Sequence, residues 1–345
     1  MKKIQFREWR IASPTYWGIL AILAGVIAVA GVAVLYMEHS GHWVTGMTNQ
    51  VVWGLPHVFA IFLIVAASGA LNVASIGSVF DKKVYKPLGR FSGLVAIALL
   101  AGGLVVLLLD LGQPGRLLVA MTHFNFKSIF TWNILLYTGF FAIVILYLWS
   151  MMERKMNGYT KPLGYVAFTW RLILTMGTGS IFGFLVARQG YDAAILAPMF
   201  IIMSFAYGLA VYILLLIFTF NADNRELGDT VLLRLKNLLG VFVAAVLFFT
   251  LMYHLTNLYG AENHEYEKFI LLDGGIYTLL FWGGWVLLGG LVPLGPGVAQ
   301  DLTAGYHEIR SHLASPGRIR RHVPQFLTPV VKTDSAQGVG TQGAR

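Results

Sequence analysis

Residues 16–37, YWGILAILAGVIAVAGVAVLYM, hold about 22 positions and not one charged side chain. An α-helix of about 20 apolar residues, rising 1.5 Å per residue, spans the ~30 Å hydrocarbon layer of a bilayer. This run therefore reads as a membrane span. Working outward, seven more segments of the same kind follow, at 50–80, 91–110, 128–150, 165–187, 191–220, 238–259 and 274–294. The expected fold is an all-α integral membrane protein, a bundle of about eight transmembrane helices.

Composition agrees. The chain has 345 residues, 57% of them hydrophobic and 12% charged. Soluble domains have roughly 45–50% apolar and about 25% charged residues. Three regions result: a short N-terminus (1–15), the helical domain (16–294) and a polar, basic tail (295–345) read as poorly ordered. A cleaved signal peptide has a shorter apolar core and a small-residue cleavage site, so the first run reads as a retained anchor.

The formal charge of +9 does not indicate nucleic acid, because the basic residues sit in short blocks between apolar runs. Such blocks set membrane orientation. Lys2, Lys3, Arg7 and Arg10 precede the first span, and Lys82, Lys83, Lys86 and Arg90 follow the second. Arg154, Lys155, Lys161, Arg225, Arg234, Lys236 and the tail extend the same side. Opposite them stand only Arg116, Lys127, Arg188 and Lys268, while Arg171 lies inside a span. Both termini are expected in the cytoplasm, as for a multi-pass protein of a bacterial inner membrane. The chain has no cysteine, so it carries no thiolate Fe–S cluster, no thiolate zinc site and no disulfide. No metal site is expected, and any Fe–S centre belongs to a partner.

Polar residues gather at the outer ends of the spans. His57 opens the second, Asp110 closes the third, Trp132 and Asn133 open the fourth, and His254, Asn257 and Tyr259 close the seventh. Quinone chemistry needs such a set. It takes a proton acceptor, hydrogen bonds to two ring oxygens and apolar walls open to lipid. The expected roles are His57 and Asp110 as proton acceptors, Arg116 holding the Asp110 carboxylate charged, Trp132 and Tyr259 as walls, and Asn133 as a partner of a quinone oxygen. The plainer reading is that interfacial Trp, Tyr, His and Asn are ordinary boundary residues. His57 and His254 also admit a bis-histidine haem.

Two polar stripes cross the spans. Ser68, Asn72 and Ser75 share a helical face with His57. Arg171, Thr175 and Thr178 follow at i, i+4 and i+7. They are read either as interhelical hydrogen bonds or as a water-holding path for protons. Arg171 is expected to snorkel or to meet a buried partner.

Three motifs carry a resemblance. NQVVWGLPHVF at 49–59, LDLGQPGR at 109–116 and NFKSIFTW at 125–132 are similar to elements of the NrfD/PsrC family of membrane subunits. The resemblance covers roughly residues 10–294 and is strongest toward the P-type subunits of Dsr complexes. It implies a quinone or menaquinone site near the periplasmic face, no haem or Fe–S cluster in this chain, and a periplasmic ferredoxin-like Fe–S subunit as partner. It further implies a haem b membrane subunit, a cytochrome c subunit and a cytoplasmic Fe–S subunit, and a role in dissimilatory sulfur metabolism. Longer members of the family continue with two more helices where this chain turns to its arginine-rich tail. That leaves open an eight-helix form or a replaced C-terminus. A solute or ion transporter and a non-catalytic anchor are the competing functions. Transporters often carry discontinuous helices and internal repeats. Only Pro56 and Pro198 mark internal breaks in this sequence.

Overall fold

The computed structural model describes residues 14–48, 51, 53–82, 84–111, 117–186, 188, 190–222 and 227–295. The expected N-terminal segment up to residue 13, the motif positions 112–116 and the tail from 296 lie outside them. Among the described residues every regular element is helical. The helices are α1 (Pro14–Ser40), α2 (Leu55–Ala70), α3 (Asn72–Ser78), α4 (Gly89–Leu109), α5 (Leu117–Thr122), α6 (Ile129–Met152), α7 (Thr160–Gly183), α8 (Leu196–Ala222), α9 (Asp229–Tyr259) and α10 (His264–Lys268). A last span, Ile276–Leu294, is wound as a π-helix over Leu280–Leu291. Two glycine pairs, Gly283–Gly284 and Gly289–Gly290, fall in that stretch, where the ordinary i→i−4 ladder is weakest.

Among the described residues, seven helices are long and apolar enough to cross a membrane. The 24-residue α7 is a further long helix, less apolar because it carries Arg171, Thr175 and Thr178. All three are buried. The polar stripe thus faces protein and leaves an apolar surface to lipid, as the hydrocarbon requires. The bundle is built on α2, which packs against α4 and α8, while α6 lies on α7 and α9 on α8. Two peripheral helices contrast with it. No residue in the apolar window of α1 is buried, and few are in the last span.

Some boundaries differ from the sequence reading. The second span starts at Leu55, not 50, because Gly54 is extended at the N-cap and Pro56 sets the first turn. α9 begins at Asp229, two turns before its apolar stretch, and these turns carry Arg234 and Lys236. A break at Leu71, between α2 and α3, is not visible in the sequence. Ser92 of α4 repairs it: its hydroxyl donates to the Ala70 carbonyl (2.7 Å) and accepts from the Ala74 N–H (3.1 Å). Backbone groups freed inside a membrane are tolerated only when protein satisfies them.

The α2–α8 contact is backbone on backbone. A Cβ on Gly69 would lie 1.6 Å from the Ser204 carbonyl oxygen, and one on Gly208 would lie 2.2 Å from the Ala70 nitrogen. Small residues serve this close approach. Gly208→Ala is expected to destabilise the bundle by about 1–3 kcal/mol, the usual range for overpacking. Thermal unfolding in detergent would register this as a lowered midpoint. Gly25→Ala in α1, where a Cβ meets nothing within 4 Å, is expected to leave the midpoint unchanged.

Candidate functional site

Asp110 ends α4, and its backbone N–H still bonds the Val106 carbonyl at 3.0 Å. His57 stands in the first turn of α2, placed there by Gly54 and Pro56. The two side chains meet: His57 Nδ1 lies 3.2 Å from Asp110 Oδ2. The indole of Trp53 stacks on the imidazole with ring centroids 5.3 Å apart and planes 5° from parallel. Phe182 meets the indole edge-on at 5.2 Å, and Phe182 in turn stacks on Tyr191 at 5.7 Å. The histidine is therefore held at one nitrogen and on one face. Such a bond fixes the tautomer and leaves Nε2 to exchange a proton.

The second carboxylate oxygen, Asp110 Oδ1, is buried with no hydrogen-bond partner among the described residues. A carboxylate oxygen in that state is costly. Asp110 lines a cavity of about 810 Å³, a volume typical of small-molecule sites. Met47, Trp53, His57, Asp110, Phe130 and Tyr137 line it, together with aliphatic side chains of α4 and α6. Its rim includes Val105 (55% exposed) and Phe130 (51% exposed), so the cavity reaches the outer surface of the bundle between α4 and α6.

Asn133 also lines the cavity, but its amide N–H groups are already engaged. They donate to the Ile129 carbonyl (2.9 Å) and the Gly177 carbonyl (3.1 Å). Thr178 donates to its Oδ1 at 3.3 Å, and the Tyr137 and Thr178 hydroxyls are 3.2 Å apart. Asn133 can accept another bond but has no N–H left to give. Tyr137 is the hydroxyl beside it, and the sequence reading does not include it.

Trp132, His254 and Tyr259 are not among the residues that line this cavity. Tyr259 is 94% exposed at the end of α9. Trp132 points outward and donates its indole N–H to the Phe126 carbonyl at 3.0 Å, as an interfacial residue does. The aromatic wall comes instead from Trp53, within the motif quoted above, and from Phe130 and Tyr137. Arg116 lies outside the described residues.

His254 belongs to a second cluster. Its Nδ1 is 2.7 Å from Glu267 Oε2, and Asn257 donates to Glu267 Oε1 at 2.8 Å. Glu267, on α10, is fully buried. The sequence hides it, because HEYEK at 264–268 looks like a solvated connection. Beside it, burial pushes the Tyr266 phenol up, and the neighbouring Tyr253 and Glu267 add to that shift. The two histidines considered as a haem pair thus bond separate carboxylates, and His254 packs against Phe281 at 4.9 Å.

These features define a polytopic helical membrane protein with a surface-reaching cavity built around a histidine–carboxylate pair. The chain belongs to the NrfD family (polysulphide reductase, NrfD), which it matches over residues 43–304. It is similar to the Hdr-like menaquinol oxidoreductase integral membrane subunit of Archaeoglobus fulgidus, at 29% identity over 83% of this chain and 71% of that protein. It is also similar to a selenate reductase subunit of Mesobacillus selenatarsenatis, at 25% identity over 78% of this chain and 72% of the relative. Protein NrfD of Escherichia coli is 23% identical over 71% of this chain and 84% of its own length.

Glu267→Leu is expected to leave His254 Nδ1 and the Asn257 amide buried without partners. Breaking a buried pair costs about 3–5 kcal/mol. The unfolding midpoint in detergent should fall clearly with Glu267→Leu and much less with Glu267→Gln, which keeps the shape and one acceptor.

Proposed function

We propose that this chain is the quinone-handling membrane subunit of a respiratory redox complex, and that His57 and Asp110 exchange the protons of a quinol held in the 810 Å³ cavity. The observation that carries this reading is Asp110 itself. One oxygen holds His57, the other has no hydrogen-bond partner among the described residues, and the residue lines the cavity. A quinol hydroxyl supplies the missing donor. The apolar walls suit the ring, and the rim between α4 and α6 suits an isoprenoid tail lying in lipid. The name of the Archaeoglobus relative, a menaquinol oxidoreductase subunit, favours menaquinol.

The chemistry follows from the two groups. Asp110 Oδ1 accepts one hydroxyl hydrogen bond, and His57 Nε2 takes a proton while Nδ1–H stays on Asp110. The imidazolium that forms is stabilised by the carboxylate 3.2 Å away. Trp53 keeps the ring from turning out of line. Tyr137 and the free lone pair of Asn133 Oδ1 are placed to meet the second ring oxygen.

The electrons leave this chain, since it has no cysteine to ligate a cluster. Their acceptor or donor is a ferredoxin-like Fe–S subunit on the periplasmic side, opposite the Lys/Arg-rich face. The further assembly is of the Dsr type: a haem b membrane subunit, a cytochrome c subunit and a cytoplasmic Fe–S subunit. The process is dissimilatory sulfur metabolism in a bacterial inner membrane. Support for this finer placement is the resemblance of the three motifs quoted above.

In a complex purified with its partners, His57→Ala and Asp110→Asn are each expected to slow quinol-dependent reduction of the Fe–S centres by about 10²-fold or more, the usual weight of a positioned acid–base group. The complex should stay intact on gel filtration. Wild-type rates in both intact variants would remove the assignment. Uptake of a solute by the chain alone in vesicles would favour a transporter instead.

A further inference from the structure

A second cavity, of about 410 Å³, lies near the other end of the same helices. Asn133 and Met151, both on α6, line the outer and the inner cavity respectively. At 1.5 Å per residue they stand about 27 Å apart, close to the thickness of the hydrocarbon layer. The inner cavity therefore sits at headgroup depth, in the leaflet on the Lys/Arg-rich side.

Four helices meet there. Ser78 of α3, Arg90 of α4, Met151 of α6 and Lys161 of α7 line the cavity, and Asp81 and Lys86 come from the turn between α3 and α4. That turn is pressed onto α3, since a Cβ on Gly77 would lie 3.1 Å from the Lys86 backbone nitrogen. Lys86 Nζ lies 2.6 Å from Asp81 Oδ1. The Arg90 guanidinium donates through Nη2 to the Met151 carbonyl, which holds it across the α4–α6 contact. Among the charged side chains lining the cavity, Lys86, Arg90 and Lys161 are cations and Asp81 is the one anion. The lining thus favours an anion. Arg90 supplies a planar fork that suits a phosphate, and the two exposed lysines supply mobile point charges.

The surroundings say which kind of anion fits. Trp149 of α6, Tyr159 just before α7 and Tyr165 of α7 are all exposed at this end of the bundle. Tyr and Trp take such positions at the boundary between headgroups and hydrocarbon. Phe80 and Met152 are exposed at the same level. A phosphate bound in the cavity therefore has apolar surface beside it, which an acyl chain needs and a soluble phosphate does not. Basic pockets between spans on the positively charged side bind the headgroups of anionic lipids.

We propose that the inner cavity binds the phosphodiester headgroup of an anionic phospholipid, held by Lys86, Arg90 and Lys161, with its acyl chains on the apolar surface that the bundle turns to the bilayer. The site is independent of the quinol cavity. The bound lipid joins the α3–α4 turn to α4 and α7, and so fastens the inner end of the bundle.

The test uses the full chain in a neutral detergent, its thermal unfolding midpoint followed during titration with phosphatidylglycerol, with phosphatidylcholine of the same acyl chains, or with inorganic phosphate. Phosphatidylglycerol is expected to raise the midpoint saturably, as a ligand of the folded state does, and the other two are not. Lys86→Gln combined with Lys161→Gln should weaken the apparent affinity for phosphatidylglycerol about 10-fold or more, the weight of two basic residues at a membrane surface. Arg234→Gln combined with Lys236→Gln, on α9 and outside the cavity lining, should leave that affinity unchanged. Native mass spectra should show phosphatidylglycerol retained by the wild type and lost from the Lys86/Lys161 variant. Equal affinity in that variant, or equal stabilisation by phosphatidylcholine, would overturn the site. Stabilisation by inorganic phosphate and not by phosphatidylglycerol would overturn the lipid and leave a soluble anion in its place.

Discussion

Hydrocarbon offers a polar group nothing to bond, and most of this structure follows from that. Polar side chains within the spans bond carbonyls of their own helix, as Thr138 and Thr219 do, or turn toward neighbouring helices, as Ser68 and Arg171 do. The rule explains why α7, the least apolar of the long helices, keeps Arg171, Thr175 and Thr178 buried. It also explains Ser92, whose single hydroxyl closes both sides of the break between α2 and α3. The glycines Gly69 and Gly208 belong to the same logic. They bring the backbones of α2 and α8 into contact.

Two buried carboxylates, each joined to a histidine, differ in how fully their hydrogen bonds are made. Glu267 has both oxygens bonded, one to His254 and one to Asn257. It is a finished structural joint that ties α10 to α9. Asp110 has one oxygen bonded to His57 and one without a partner among the described residues, and it stands on a cavity wall. The residue types are nearly identical, and the difference lies in what remains unsatisfied. A carboxylate with both oxygens bonded holds the fold, and the open oxygen of Asp110 is what the proposed quinol site rests on.

Much of the fold was legible along the chain. Apolar runs of about 20 residues located the spans, because only helices of that length meet the bilayer's demand. The juxtaposition of His57 and Asp110 was legible only through their position at the same end of neighbouring spans. Trp53 was within the motif already singled out, yet nothing along the chain says that its indole lies flat on the imidazole. Trp132 and Tyr259 had the right residue type and depth but point outward, since helix ends alone do not fix which way a side chain turns. Glu267 gave no signal, as an acidic residue in a short polar connection ordinarily remains in water.

The sequence by itself determined which runs form spanning helices and the asymmetric placement of Lys and Arg, because these depend on local composition measured against the thickness of a bilayer. Only the tertiary structure decided which polar groups are satisfied and which are left open. Hydrogen bonds reach about 3 Å and depend on direction. Helix rotation and packing, set by contacts between residues distant in the chain such as Gly69 with Ser204, therefore choose the partners of Asp110, Asn133 and Arg171.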